Sequence, residues 1–269
     1  MAPEQIVHTP HPALTSPLVW RQTGSGRPLI LLHGGHGSWA HWVRNMEALS
    51  QTHTVVSVDM PMYGDSGDLL GDLKTEAALH AMLAVLKDCI ETRFGAGTEI
   101  DLAGFSFGGM VAAKLHRMLH TRRMVLIGSA GHGGQWRRFV ELRKWEVDDP
   151  AEREAALKHN LVPFMLERAD SMDEQAYQIH KHACENTRYK SRPVSLHLSI
   201  DEDLKDSPTP TLLLWGEHDV TCTPAEVAPA WANLMKVATW KEVPHAGHWA
   251  QYENAAWTNT AMRDWLQRN

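Results

Sequence analysis

Several features that would commit a chain to a particular class are scarce here. Among 269 residues there are only three cysteines, Cys89, Cys184 and Cys222, far apart, odd in number and without metal or redox spacing. That usage excludes a disulfide-stapled scaffold and fits a reducing compartment. There is no run of about 18 consecutive apolar residues, the length a membrane-crossing helix needs. The opening, Met1-Ala-Pro-Glu-Gln5, has no basic region leading into an apolar stretch. These residues point to a soluble, cytoplasmic protein. Neither charge sign dominates: 26 Lys and Arg face 32 Asp and Glu, interspersed, for a net charge of −6. This argues against a nucleic-acid or membrane partner and leaves a small molecule as the expected ligand, with a homodimer open. Apolar residues, by contrast, make up 43% of the chain, enough to bury a sizeable core as one domain with an insertion.

Strand-like apolar runs at 18–20, 28–32, 54–58, 100–103, 124–127, 211–215 and 238–243 alternate with helical patterns. The clearest helix, 74–94, carries Leu79, Met82, Leu83, Leu86 and Ile90 at helical spacing and stops at Gly95. This alternation predicts an α/β fold, a mostly parallel sheet with helices on both faces. Residues 131–205 differ, being rich in Arg, Glu, Lys, His and Met with a helical pattern and no buried strand. They read as a helical cap inserted into a core formed by 1–130 and 206–269. In it Trp136, Phe139, Trp145, Phe164, Met165 and Met172 are candidates for lining an apolar pocket, or for ordinary packing.

Chemistry enters with Gly104-Phe105-Ser106-Phe107-Gly108-Gly109, set between a strand-like run and a helix-like one. A serine on a sharp strand-to-helix turn is presented as a nucleophile, and the flanking glycines let strand and helix approach closely. The 28–32 strand ends in His33-Gly34-Gly35-His36-Gly37, a glycine-rich turn with neither a G-K-S/T nor a G-x-G-x-x-G phosphate signature. Its Gly35 amide, with that of Phe107, is the expected oxyanion hole. The 211–215 strand runs into Gly216-Glu217-His218-Asp219, placing Asp219, with Glu217 as weaker candidate, to orient a histidine. Near the end, Val243-Pro-His245-Ala-Gly-His248-Trp249 supplies the base. His248 is expected in that role, while His245 braces the loop. Serine, acid, histidine is the chain order of α/β-hydrolases. The histidine pairs that invite a metal reading, His116 with His120 and the group His33, His36 and His41, lack an H-E-x-x-H pattern, so neither metal nor cofactor is expected.

On these residues the whole chain resembles the α/β-hydrolases, a mostly parallel central sheet flanked by helices with an inserted helical cap. The segment His245-Ala-Gly-His248-Trp249-Ala-Gln251-Tyr-Glu253 is similar to the terminal motif of the meta-cleavage-product hydrolases, which cut carbon–carbon bonds in ring-opened aromatic catabolites. Gly37-Ser-Trp39-Ala-His-Trp42-Val-Arg44-Asn45 and Gly131-His-Gly133-Gly134 resemble their oxyanion-loop and cap-entry stretches. The resemblance offers Arg188 as the holder of a substrate carboxylate, with a solvated surface position as the other reading for an arginine in this Arg-rich segment. His36, Phe105 and Trp249 are the further substrate-binding candidates. Those enzymes commonly carry Asn beside the nucleophile, and Phe105 stands there instead. The expected activity is therefore cleavage of a small, largely apolar carboxylic ester through Ser106, Asp219 and His248. Carbon–carbon hydrolysis is the alternative, followed by a cofactor-free oxygenase or perhydrolase and a ligand-binding protein without turnover. Ser rather than Asp at 106 speaks against dehalogenase or epoxide-hydrolase chemistry.

Overall fold

Unbroken apolar runs such as Leu29-Ile-Leu-Leu32 and Leu212-Leu-Leu-Trp215 require a sheet covered on both faces, because successive side chains point to opposite sides. A computed structural model, describing residues 4–133, 137 and 139–268, builds that sheet. Its strands are β1 (Gln5–Thr9), β2 (Leu18–Gly24), β3 (Arg27–Leu32), β4 (His53–Asp59), β5 (Ile100–Phe105), β6 (Thr121–Ile127), β7 (Thr211–Gly216) and β8 (Ala238–Val243). They lie in the order β1-β2-β4-β3-β5-β6-β7-β8. β2 pairs antiparallel with both β1 and β4, and every other pairing is parallel. The sequence pattern did not anticipate β1, an edge strand whose residues are mostly exposed and so carry no apolar periodicity.

The helices are α1 (Met46–Leu49), α2 (Thr75–Phe94), α3 (Phe107–Leu115), α4 (Pro150–Met165), α5 (Glu174–Glu185), α6 (Arg192–His197), α7 (Asp201–Leu204), α8 (Pro224–Leu234), α9 (Ala250–Glu253) and α10 (Ala255–Leu266). Ile30, Leu32, Leu213 and Trp215 pack with α2, α3 and α8 on one face. Leu29, Leu31, Leu212 and Leu214 pack with α1, α9 and α10 on the other. Gly95, at φ 95°, ends α2 where the periodicity stops.

Between β6 and β7, α4 to α7 fill the insert, and its described residues contain no strand. Asp149 and Asp173 cap α4 and α5 by accepting the Glu152 and Ala176 amides. The Glu253 carboxylate at the end of α9 accepts the amides of Glu167, Arg168 and Gly247, fastening the insert to the loop before His248. Of the pocket candidates in the insert, Trp145, Phe164 and Met165 line a cavity. Phe139 does not, being 88% exposed. Met172 packs against the α1/α10 core, and Trp136 and Gly134 lie outside the described residues.

From β3 the chain crosses to β4 on one side, and β5 lies on the other. This reversal of strand order is where open α/β sheets bind ligands, beyond the carboxyl ends of the strands. The loops after β3, β5, β7 and β8 all open there.

Candidate active site

β5 delivers Ser106 at φ 53° and ψ −116°, a backbone conformation that costs a non-glycine residue roughly 1–3 kcal/mol. Its surroundings over-determine it. The Ser106 amide donates to Ile127 O at 2.9 Å, and its carbonyl accepts from the amides of Gly109, Met110 and Ala130. The turn is tight enough that a Cβ on Gly104 would collide with the Gly108 backbone, and one on Gly108 with the carbonyls of Leu32 and His33. Strand and helix therefore approach glycine to glycine at this turn, and the serine hydroxyl is left at the crevice.

His248 Nε2 lies 3.0 Å from Ser106 Oγ. Its Nδ1 lies 2.8 and 3.0 Å from the two carboxylate oxygens of Asp219. A carboxylate only accepts, so Nδ1 carries the proton and Nε2 presents its lone pair to the serine. Both His248 and Asp219 are buried. Burial would push the Asp219 carboxyl up. The neighbouring imidazole and hydrogen bonds from His248 and Thr221 outweigh it and hold the group below the usual carboxylate range. The Thr221 amide and hydroxyl both donate to Oδ1, at 2.8 and 2.7 Å. Thr221 was not singled out from the sequence, although Asp followed two residues later by Thr is the signature of an Asx turn.

Glu217, the weaker acid candidate, faces away. Its carboxylate accepts the His245 amide at 3.0 Å on the outside of the molecule, and the His245 side chain is exposed. His245 braces the loop through its backbone, at φ 53°.

Gly35 and Phe107 both border a cavity of about 470 Å³ that also exposes Ser106 and His248. Phe107 opens α3, where a first-turn amide has no acceptor within the helix. Gly35 packs so closely on Ser191 Oγ and the Phe107 side chain that a Cβ there would strike the serine. The opposite wall comes from the insert, with Trp145, Phe164 and Met165 as apolar surface and Arg143, Lys144 and Arg192 as cations. None of Ser191, Arg192 or His180 was picked out from the sequence, because the docking of the insert on the core leaves no periodic signal.

His36 sits where expected, on the cavity wall in the left-handed region at φ 48°. The other three substrate-binding expectations are corrected. Phe105 ends β5 on the face shared with Ala103, fully buried, and packs under His248 with ring centroids 5.0 Å apart. It is a floor to the imidazole and lies away from the cavity. Trp249 is likewise fully buried, stacked on Tyr252 with its Nε1 donating to His41 O at 3.0 Å. Arg188 turns outward to pair with Asp68 and to donate to the carbonyls of Gly64, Ser66 and Asn186. The antiparallel bridge between Tyr63 and Thr187 sets that direction.

His116, His120, His33 and His41, which invited a metal reading, each meet protein partners. His116 bonds Ala113 O and Ser207 Oγ, and His120 faces Glu99 at the surface. His33 and His41 both contact Gly34.

The chain as a whole is similar to known proteins. The chain is 28% identical, over 94% of its length and 67% of the relative's, to a dihydrolipoyllysine-residue acetyltransferase component of an acetoin cleaving system from Pseudomonas putida. It therefore spans about two thirds of that relative. It is also 28% identical to a 2-hydroxy-6-oxononadienedioate/2-hydroxy-6-oxononatrienedioate hydrolase from Paraburkholderia phymatum, over 92% of this chain and 90% of that one. The crystal structure of an esterase from Rhodococcus sp. ECU1013 shares the fold, with a TM-score of 0.76, 17% identity and 97% coverage of both chains. Residues 29–261 match the profile described as the alpha/beta hydrolase family, and with the sheet order and the serine elbow this places the chain in the alpha/beta hydrolase family.

Proposed function

We propose that the protein is a serine hydrolase that cleaves a small, largely apolar carboxylic ester. The observation carrying this reading is the hydrogen-bonded series Asp219–His248–Ser106 opening onto a cavity bordered by the Gly35 and Phe107 backbones. In the reaction the Ser106 hydroxyl gives its proton to His248 Nε2 as Oγ attacks the ester carbonyl. The resulting oxyanion accepts from the Gly35 and Phe107 amides. Collapse breaks the bond to the leaving oxygen, which takes the proton from the imidazolium, and leaves an acyl-serine. Water, deprotonated by His248, then releases the acid and restores the hydroxyl. Asp219 stays ionised throughout and holds the imidazole in its reactive tautomer.

Carbon–carbon cleavage of a ring-opened aromatic product is the second reading, favoured by the similarity to the Paraburkholderia hydrolase. Against it, the arginine that the resemblance assigned to a dienoate carboxylate is committed to Asp68 and three carbonyls. The test is kcat/KM on a phenyl ester and on a 2-hydroxy-6-oxo-dienoate, with Ser106→Ala, His248→Ala and His245→Ala alongside. Ester preference is expected, with losses of at least about 1000-fold for Ser106→Ala and His248→Ala and little change for His245→Ala. Dienoate preference establishes the second reading. Equal damage from His245→Ala and His248→Ala refutes the assignment of the base.

A further inference from the structure

Gly34, the residue that leads into Gly35, is held at both of its backbone polar groups by histidines. Gly34 N donates to His41 Nδ1 at 3.2 Å, and Gly34 O lies 2.8 Å from His33 Nδ1. The protonation of each ring follows from its partners, because an amide only donates and a carbonyl only accepts. His41 Nδ1 must be bare. His33 Nδ1 must carry hydrogen, and its Nε2 accepts the Met60 amide at 3.1 Å. Both rings are buried, and burial lowers the basicity of each, keeping them neutral as these bonds demand. The space they occupy exists because position 37 is glycine: a Cβ there would sit 2.7 Å from His41 Cε1 and 2.8 Å from His33 Nδ1.

His41 does more than fill that space. Its carbonyl accepts the indole N–H of Trp249, the residue after His248, and its ring is wedged between Phe105 and Trp249 at centroid distances of 5.4 and 5.0 Å. One residue thus touches the turn before Gly35, the strand end before Ser106 and the loop carrying His248. The Gly34 amide has no other acceptor among the described contacts.

We propose that His41 is a positioning residue, aiming the Gly35 amide at the developing oxyanion by accepting the Gly34 N–H through Nδ1. It touches no substrate and acts only on the direction of that one donor. The proposal rests on the serine-hydrolase reading. It makes a demand that a merely space-filling side chain would not. Asparagine places Oδ1 where histidine has Nδ1 and can accept the same N–H, glutamine places its oxygen one atom further out, and leucine offers none.

The experiment is steady-state kinetics of His41→Asn, His41→Gln and His41→Leu on the phenyl ester, each variant first checked for a cooperative thermal transition. His41→Gln and His41→Leu should lose about 100-fold in kcat, the scale of a lost oxyanion donor, with KM within about twofold of the parent. His41→Asn should keep most of the parent kcat. If His41→Leu does not fold, the contrast between Asn and Gln carries the test. Parent-like kcat in His41→Gln, or an Asn variant as slow as the Gln variant, overturns the proposal. Full turnover by Ser106→Ala in the same assay would remove the serine-hydrolase reading itself, a failure distinct from either of these.

Discussion

Replacing Asp219 with asparagine changes one atom, and the surroundings dictate which way the new amide turns. Asn has one acceptor oxygen and one NH2 where Asp has two acceptors. The backbone amide of Thr221 donates to Oδ1 at 2.8 Å and cannot be reversed, so the asparagine oxygen must take that side. The NH2 then occupies the Oδ2 position, 2.8 Å from His248 Nδ1. Two donors cannot share that contact, and the imidazole responds by moving its proton to Nε2. Ser106 Oγ, 3.0 Å away, now faces an N–H in place of a base. The expected loss in kcat is about 10⁴-fold, equivalent to about 5.4 kcal/mol of barrier, with little change in KM. Turnover of the ester by Asp219→Asn, with thermal unfolding as the check on folding, measures it. Thr221→Ala keeps the backbone donor and should lose less than about tenfold. An Asp219→Asn variant within about tenfold of the parent would mean that His248 does not draw its tautomer from this carboxylate, and the series would need another acid.

Gly104→Ala would drive a Cβ into the Gly108 backbone, which cannot yield without opening the β5–α3 turn. A loss of about 3 kcal/mol or more, or failure to fold, is expected, and an unchanged melting temperature would refute the close-contact argument. Arg188→Ala should lower stability by on the order of 2 kcal/mol, through the Asp68 pair and the carbonyls it serves, while leaving KM for either substrate unaltered. A raised KM would return Arg188 to the substrate. Burial lowers His33 from 6.5 to about 4. Between those values the unfolded chain binds a proton that the folded one does not, so stability is complete above about pH 6.5 and falls as pH is lowered, by about 3 kcal/mol at pH 4. Urea unfolding across that range should show the decline, deepened by His41 and His180, which burial also lowers, and His33→Asn should remove only the His33 share of it.

Much of this molecule was open to reading from its residues because the relevant signals are local. The unbroken apolar runs of β3, β6 and β7 state that both sheet faces are covered. Glycines at 104 and 108 mark a contact between strand and helix that no side chain permits. Ser106, Asp219 and His248 each sit just past a strand end, and parallel strands bring their carboxyl ends together whatever the loops between them. What the residues could not convey was direction. Phe105 and Trp249 look like site residues because they adjoin Ser106 and His248 in sequence. The alternation of β5 sends Phe105 beneath the imidazole, and the bond from Trp249 to His41 O turns the indole into the core. Arg188 carries the charge a carboxylate would need, but the pairing of Tyr63 with Thr187 points it at Asp68. Thr221, Ser191 and His41 meet their partners through a turn, an inserted wall and a buried loop, and no periodicity records such contacts. The sequence by itself determined which strand ends bear the reactive groups, because that follows from local pattern and chain order. Only the tertiary structure decided which neighbouring side chains face the cavity, because that depends on how the 131–205 insert and the loops dock on the sheet.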